Sequence, residues 1–248
     1  MQTGPTIIVF DYRAGRSGRH AQQFLQDWQG HLIVDDYGGY KALFAAARAH
    51  PETQYILEPC IELACWAHAR RKFFDLFQAS QSPVAQEALN RIAELYTIEV
   101  EGRELATDER QHLRAEKSLP VLTNLHDWLQ QIRLNTAPNS ATAKAIDYSL
   151  KRWPALTRYD ETGDLPIDNN PVENSIRPIA LGKKNWLFAG SERAGQRAAV
   201  IQTLLGTAKL NGLNPSAWLR DTLENFPPGP TAASTNYCRL LPPSNLCR

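Results

Sequence analysis

The stretch HLIVDDYGGYKALF, His31 to Phe44, sets the architecture. HLIV is a short apolar run bounded by turn residues, which predicts a buried strand with Asp35 at its C-terminal end. Gly38 and Gly39 then turn the chain into an apolar helix over roughly Tyr40 to Ala49. On the N-terminal side, TIIVF (Thr6 to Phe10) is β-branched and aromatic and reads as another buried strand. Between the two runs, Ala21, Phe24, Leu25 and Trp28 recur at i, i+3, i+4 and i+7, an amphipathic helix that Gly30 is placed to end. On the C-terminal side, Tyr55 to Leu57 supplies a third short run. Strand, helix, strand, helix, strand predicts an α/β layer with parallel pairing and right-handed crossovers.

From Cys65 to about Tyr159 the periodicity becomes helical. Ser82-Pro83 is an N-cap followed by proline at the first helical position, ahead of Ala85, Ala88, Leu89 and Ile92. Leu122, Leu125, Leu129 and Ile132 form a second stripe, and Ala145, Ile146, Ser149, Leu150 and Trp153 a third. No strict heptad persists, so the segment reads as several packed helices rather than a coiled coil. The expected organisation is 1–64 for the sheet and its helices, 65–165 for a helical insertion, 166–226 for a C-terminal helical part and 227–248 for a Pro/Ser/Thr-rich flexible tail.

A chain of 248 residues with 43% hydrophobic and 21% charged residues has the make-up of a soluble globular protein. The net charge of +1 means that any nucleic-acid contact must come from local clusters. Cys60, Cys65, Cys238 and Cys247 are too sparse for a disulfide scaffold. The N-terminal apolar run has no basic leader and is too short for a signal-peptide core, and no run reaches membrane-spanning length. The expected location is the cytoplasm, with no membrane partner. A P-loop, a dinucleotide fingerprint and a GxSxG elbow are all absent, which gives NTPase, oxidoreductase and hydrolase readings no support.

The richest segment is IDNNPVENSIRPIALGKKNWLFAGS, Ile167 to Ser191. Asn170 reads as a helix N-cap, Pro171 as the first helical residue and Glu173 as the third. Taken alone, Glu173 closes a capping box and pairs with Arg177 at i+4. Yet Arg177, Lys183, Lys184, Arg193 and Arg197 accumulate between Asn174 and Arg197 against the single acid Glu192, with Trp186 and Phe188 interleaved. Basic residues alternating with aromatics suit phosphate contact and base stacking, although a solvated basic face has the same composition.

This segment, followed by TAKLNGLNPSAWLRDTL (Thr207 to Leu223), resembles the C-terminal signature of insertion-sequence 66 family transposases. LIVDDYGGYKALF (Leu32 to Phe44) and CWAHARRKFFDLF (Cys65 to Phe77) resemble the same family in the same order. The resemblance implies an RNase H-like domain, here partial and interrupted by the helical insertion, with an Asp-Asp-Glu triad. Its second aspartate corresponds to Asp35 and its glutamate to Glu173. Such enzymes cleave and join DNA strands at insertion-sequence ends by phosphoryl transfer on two Mg²⁺ (or Mn²⁺) ions about 4 Å apart. Mg²⁺ favours carboxylate oxygens, so a few acids from distant parts of a chain suffice to hold it. Insertion-sequence ends and target DNA are the implied partners, with accessory proteins or self-association as further ones.

In the same resemblance TIIVF matches the family's third strand, which sets the first aspartate upstream of Met1 and predicts an incomplete triad. Two alternatives follow: a non-catalytic DNA-binding remnant, or a divergent nuclease in which Asp11 completes the site. Asp11 ends a strand but reads more simply as a turn or surface residue, and Asp36 as a neighbour of the ligand. Cys60, Cys65 and His68 have a loose zinc-ligand look without paired CxxC spacing, so buried thiols and a helix-facing histidine are the simpler reading. Arg70, Arg71 and Lys72 are expected to touch DNA phosphates, the solvated side of a helix being the alternative.

Overall fold

A computed structural model describes residues 6–25, 28–45, 48–49, 56–57, 59–186 and 189–225, without the side chains of 48, 49, 56, 57 and 183–186. The chain divides into two compact units, one formed by Ser17–Asn170 and the other by the flanking segments Met1–Arg16 and Pro171–Arg248. Among the described residues no helix is long and apolar enough to cross a membrane.

In the Ser17–Asn170 unit, Ser17 caps helix α1 (Gly18–Phe24) by accepting the Arg19 N–H. Gly18 is required where it stands: a Cβ there would lie 2.8 Å from the Gly39 carbonyl oxygen. Strand β1 (His31–Val34) follows Gly30, whose φ of 103° lies in the left-handed region that favours glycine. After a single turn at Gly38–Tyr40, helix α2 spans Lys41–Ala45. The expected helix to Ala49 is therefore shorter, because Arg48–Ala49 forms β2, antiparallel to β3 (Ile56–Leu57). Tyr55, expected to open that third strand, lies outside the described residues. The parallel partner of β1 is instead β4 (Ile61–Ala64), in register from His31↔Ile61 to Val34↔Ala64. IELA is too short and too close to a helix start for periodicity to separate strand from helix.

Helices α3 (Trp66–Ser80), α4 (Pro83–Glu101), α5 (Thr107–Leu113), α6 (Leu119–Leu134), α7 (Ala141–Lys151) and α8 (Trp153–Thr157) build the core of this unit. All three predicted stripes face inward: Ala85, Ala88, Leu89 and Ile92, then Leu122, Leu125 and Leu129, then Ala145, Ile146 and Ser149 are buried. Ser82 accepts the Ala85 N–H and caps α4 as its sequence predicts. Trp66, fully buried, donates its indole N–H to the Leu156 carbonyl at 2.8 Å and meets Trp153 edge-on at 5.8 Å. The turn Arg114–Ser118 is π-helical and joins α5 to α6 just before Pro120. Proline offers no N–H to the preceding turn, so a local change in hydrogen-bond register accommodates it.

At that turn the buried Arg114 guanidinium takes both oxygens of Glu99, at 2.8 and 2.6 Å, and the carbonyls of Tyr159 and Thr162, each at 2.6 Å. One side chain thus joins α4, the turn between α5 and α6, and the turn after α8. Burial of such a pair is favourable only because nearly every donor is satisfied.

The second unit contains helices α9 (Asn170–Trp186, of which Pro171 onward belongs here), α10 (Glu192–Leu210) and α11 (Pro215–Glu224). The strand expected at Thr6–Phe10 joins no sheet among the described residues. It lies along α10, where three polar side chains at i, i+4 and i+8 satisfy its backbone. Thr203 Oγ1 accepts the Phe10 N–H at 2.9 Å, Thr207 Oγ1 bonds both the N–H and the C=O of Ile8 at 3.2 Å, and Asn211 donates to the Thr6 carbonyl at 2.9 Å. The periods match, since four helical residues advance about 6 Å and two extended residues about 6.7 Å. Close approach requires Gly195, where a Cβ would fall 2.5 Å from the Tyr12 ring.

Two outcomes test this account. Arg114→Ala leaves Glu99 and two carbonyls uncompensated in the core and is expected to cost about 3–5 kcal/mol in urea unfolding; a loss below about 1 kcal/mol contradicts the assigned role. Thr207→Val keeps the shape but removes the hydroxyl, so amide exchange at Ile8 should accelerate about five- to tenfold, with the Leu122 amide in α6 unchanged.

Candidate functional site

In the Ser17–Asn170 unit, β1 ends at Val34 and hands the chain to two aspartates that the backbone treats differently. Asp35 is exposed, and its Oδ1 accepts the Tyr37 N–H at 3.1 Å, a short turn that fixes the carboxylate at the strand end. Asp36 adopts a φ of 76°, which aspartate tolerates better than most residues. Its carboxylate is ion-paired to Arg152, which also holds Glu62 Oε1 at 2.6 Å. Arg158 donates to the Glu62 carbonyl at 2.7 Å. Asp36 is thus engaged structurally, whereas Asp35 has no cationic partner among the described residues. A ring nitrogen of His68, on the first turn of α3, lies within 4.8 Å of an Asp35 carboxylate oxygen. Burial, followed by the Asp35 charge, pushes the Tyr40 hydroxyl above its ordinary pKa.

The N-terminus of α3 is held by the segment Ile167-Asp168-Asn169-Asn170. The Trp66 N–H donates to the Ile167 carbonyl at 3.1 Å. The Cys65 thiol donates to Asn169 Oδ1 at 3.0 Å, and the Asn169 N–H returns to its sulfur at 3.4 Å. Buried Asp168 accepts the Tyr96 hydroxyl at 2.9 Å and both the backbone and side-chain N–H groups of Asn170. The sequence reading gave the cap to Asn170, but Asp168 takes the Asn170 N–H at 3.0 Å and is the acid that serves the start of α9. Asp168 and Asn169 were missed, and the only signal for them was two consecutive polar residues flanked by apolar Ile167 and a helix start.

Burial pushes the Cys65 thiol above its ordinary pKa, consistent with a protonated donor. Cys60 is also a buried free thiol. Among the described residues Cys60, Cys65 and His68 do not assemble as a metal-ligand set.

Basic residues differ in how they are held, Arg110 and Arg158 for example by backbone carbonyls. Arg91, Arg114, Arg133 and Arg152 each carry a carboxylate, from Glu87, Glu99, Asp147 and the Asp36–Glu62 pair. Arg70, Arg71 and Lys72 on α3 are exposed and have no carboxylate partner among the described residues. Arg70 rests 5.9 Å from the Phe74 ring centroid, and Lys72 lies 5.2 Å from that of Tyr148.

In the other unit, Glu173 sits exposed in the first turn of α9, with Arg177 one turn later. Arg177 and, on the first turns of α10, Arg193 and Arg197 are exposed without an acidic partner among the described residues. Lys183, Lys184 and Trp186 belong to α9, but their side chains, like Phe188 altogether, lie outside the described residues. Asp11 pairs with Arg13 Nε at 2.8 Å, the local turn contact that its sequence context suggests.

Comparison with known proteins follows from these segments. Residues 1–197 match the model described as Transposase IS66 family, and residues 203–242 match the IS66 C-terminal element. Uncharacterized protein y4hP of Sinorhizobium fredii is 36% identical over 253 residues, covering 97% of this chain and 44% of that protein. Uncharacterized protein y4jD of the same organism is 37% identical over 241 residues, covering 97% of this chain and 46% of its own length. The chain therefore spans less than half the length of these curated relatives. No solved structure matches. With the two family models covering residues on both sides of Asp35 and Glu173, the chain belongs to the IS66 transposase family.

Proposed function

We propose that the chain is the later part of an RNase H-like catalytic domain that cleaves and joins DNA strands at insertion-sequence ends, with Asp35 and Glu173 as carboxylate ligands of its divalent ions. The observation that carries this reading is the place of Asp35, at the end of a parallel strand with one carboxylate oxygen fixed by the Tyr37 N–H. Asp75, Asp108 and Asp221, which also lack a cation among the described residues, lie within helices. Asp11, Asp36 and Asp168 are engaged by Arg13, by Arg152, and by Tyr96 with Asn170. Asp35, at the end of a parallel strand, keeps a carboxylate without a cation among the described residues. An exposed carboxylate whose one oxygen is oriented by the Tyr37 N–H suits Mg²⁺ or Mn²⁺, which take oxygen ligands and retain water. Glu173 enters through the resemblance of Ile167 to Ser191 to the family's signature, and it is the acid in the first turn of α9, where the helix dipole favours negative charge.

Bound divalent ions supply activation of the attacking oxygen and stabilisation of the leaving one. The chain's own residues do the rest. Asp35 and Glu173 would hold the ions, and the His68 imidazole beside Asp35 would orient its carboxylate. Arg70, Arg71, Lys72, Arg177, Lys183, Lys184, Arg193 and Arg197 neutralise DNA phosphates, and Trp186 offers a stacking face. In this reading the remaining aspartate of the triad lies upstream of Thr6. The engagement of Asp11 by Arg13 argues against a nuclease that uses it in that place.

The test is strand cleavage and joining on a duplex carrying an insertion-sequence end, measured with Mg²⁺ or Mn²⁺ for the chain joined to the part of a relative that it does not cover. Asp35→Asn and Glu173→Gln are each expected to lower the rate by at least about a thousandfold, comparable to losing one electrostatic element of a catalytic site. Cleavage by either variant at the parent rate overturns the assignment.

A further inference from the structure

One face of α3 is committed to the core and the opposite one is built differently. Trp66, Ala69, Phe73 and Leu76 are buried, while Ala67, Arg70, Arg71 and Phe74, at i, i+3, i+4 and i+7, form the outer stripe. That stripe, with Tyr96 of α4 and Asn170, lines an open groove of about 550 Å³. We infer that this groove takes a single unpaired nucleotide of the DNA, its phosphate on Arg70 and Arg71 and its base against Phe74. The inference rests on the DNA-processing reading above and specifies one part of it.

Three features converge. First, Arg70 and Arg71 are exposed cations without a carboxylate partner among the described residues, unlike the four paired arginines of the same helical body. An anion is the ligand chemistry such a pair fits, and guanidinium forks match phosphate oxygens bidentately. Second, Phe74 is 39% exposed on a helix whose other large residues face the core, and the Arg70 guanidinium already lies 5.9 Å from its ring centroid. An aromatic face beside cations offers base stacking that a paired duplex, with its bases already stacked, cannot use. Third, the polar wall is held in place. The Tyr96 hydroxyl and the Asn170 side-chain N–H both bond Asp168, so that buried carboxylate is covered by donors. The groove volume falls within the range of roughly 300–1,000 Å³ usual for small-molecule-sized groups.

Fluorescence anisotropy with the full 248-residue chain tests this on a labelled 12-nucleotide single strand and on the duplex of the same sequence. Phe74→Leu is expected to weaken single-strand binding about tenfold or more and to change duplex binding less than twofold. Arg70→Ala with Arg71→Ala should weaken both and lower the salt dependence of single-strand binding by about one to two phosphate contacts. Circular dichroism melting of each variant at the parent temperature keeps the comparison on folded protein. Equal loss on single strand and duplex for Phe74→Leu, or no loss on either, overturns the nucleotide pocket while DNA binding itself stands. Failure of the parent chain to bind any DNA overturns the DNA reading and the pocket with it.

Discussion

The helical body depends on one docking event, the closure of Ile167–Asn170 onto the N-terminal turn of α3. A helix start leaves several backbone N–H groups without intrahelical partners. Here the Trp66 N–H finds the Ile167 carbonyl across a hundred residues of sequence, and Cys65 and Asn169 bond one another in both directions. Asp168 extends the same contact to α4 through Tyr96 and to the start of α9 through Asn170. Trp66 is thereby set in the core, where its indole reaches the Leu156 carbonyl. The strand β4 runs directly into this turn, so the pairing that places Val34 beside Ala64, and with it the position of Asp35, is built on the same anchor.

Electrostatic pairing then separates scaffold from surface. A buried charge left alone is costly, so Arg114 and Arg152 are surrounded by carboxylates and carbonyls, and the acids they use are not available for other chemistry. Among the groups that pairing leaves over are Asp35 at a strand end and arginines along α3, α9 and α10. Unpaired charges at a surface cost little in water and are the groups from which ion and phosphate sites are made.

Much of this was legible in the sequence, where a local period or cap carried it. The stripes of α4, α6 and α7 and the Ser82-Pro83 start each follow a pattern within a few residues, and HLIV stood out as a short apolar run although its ladder partners are Ile61–Ala64. The parts that escaped depend on distant partners. IELA becomes a strand only because HLIV lies beside it, and the alanine-rich run to Ala49 is cut short by pairing with Ile56–Leu57. TIIVF has strand propensity, but its hydrogen bonds go to Thr203, Thr207 and Asn211, about two hundred residues away, which no local pattern reveals. At the site, Asp35 and Glu173 stood out by resemblance, whereas Asp168 and Asn169 gain their roles only once α3 and α4 are packed against them.

The central claim is that Asp35 and Glu173 are carboxylate ligands of divalent metal. Titrating the chain with Mn²⁺ and following the free ion by electron paramagnetic resonance tests it most directly. The account predicts saturable binding that Asp35→Asn and Glu173→Gln each weaken about tenfold or more, while Asp36→Asn, whose parent carboxylate is held by Arg152, leaves it unchanged. Binding that survives both Asp35→Asn and Glu173→Gln, or its absence from the parent chain, contradicts the account.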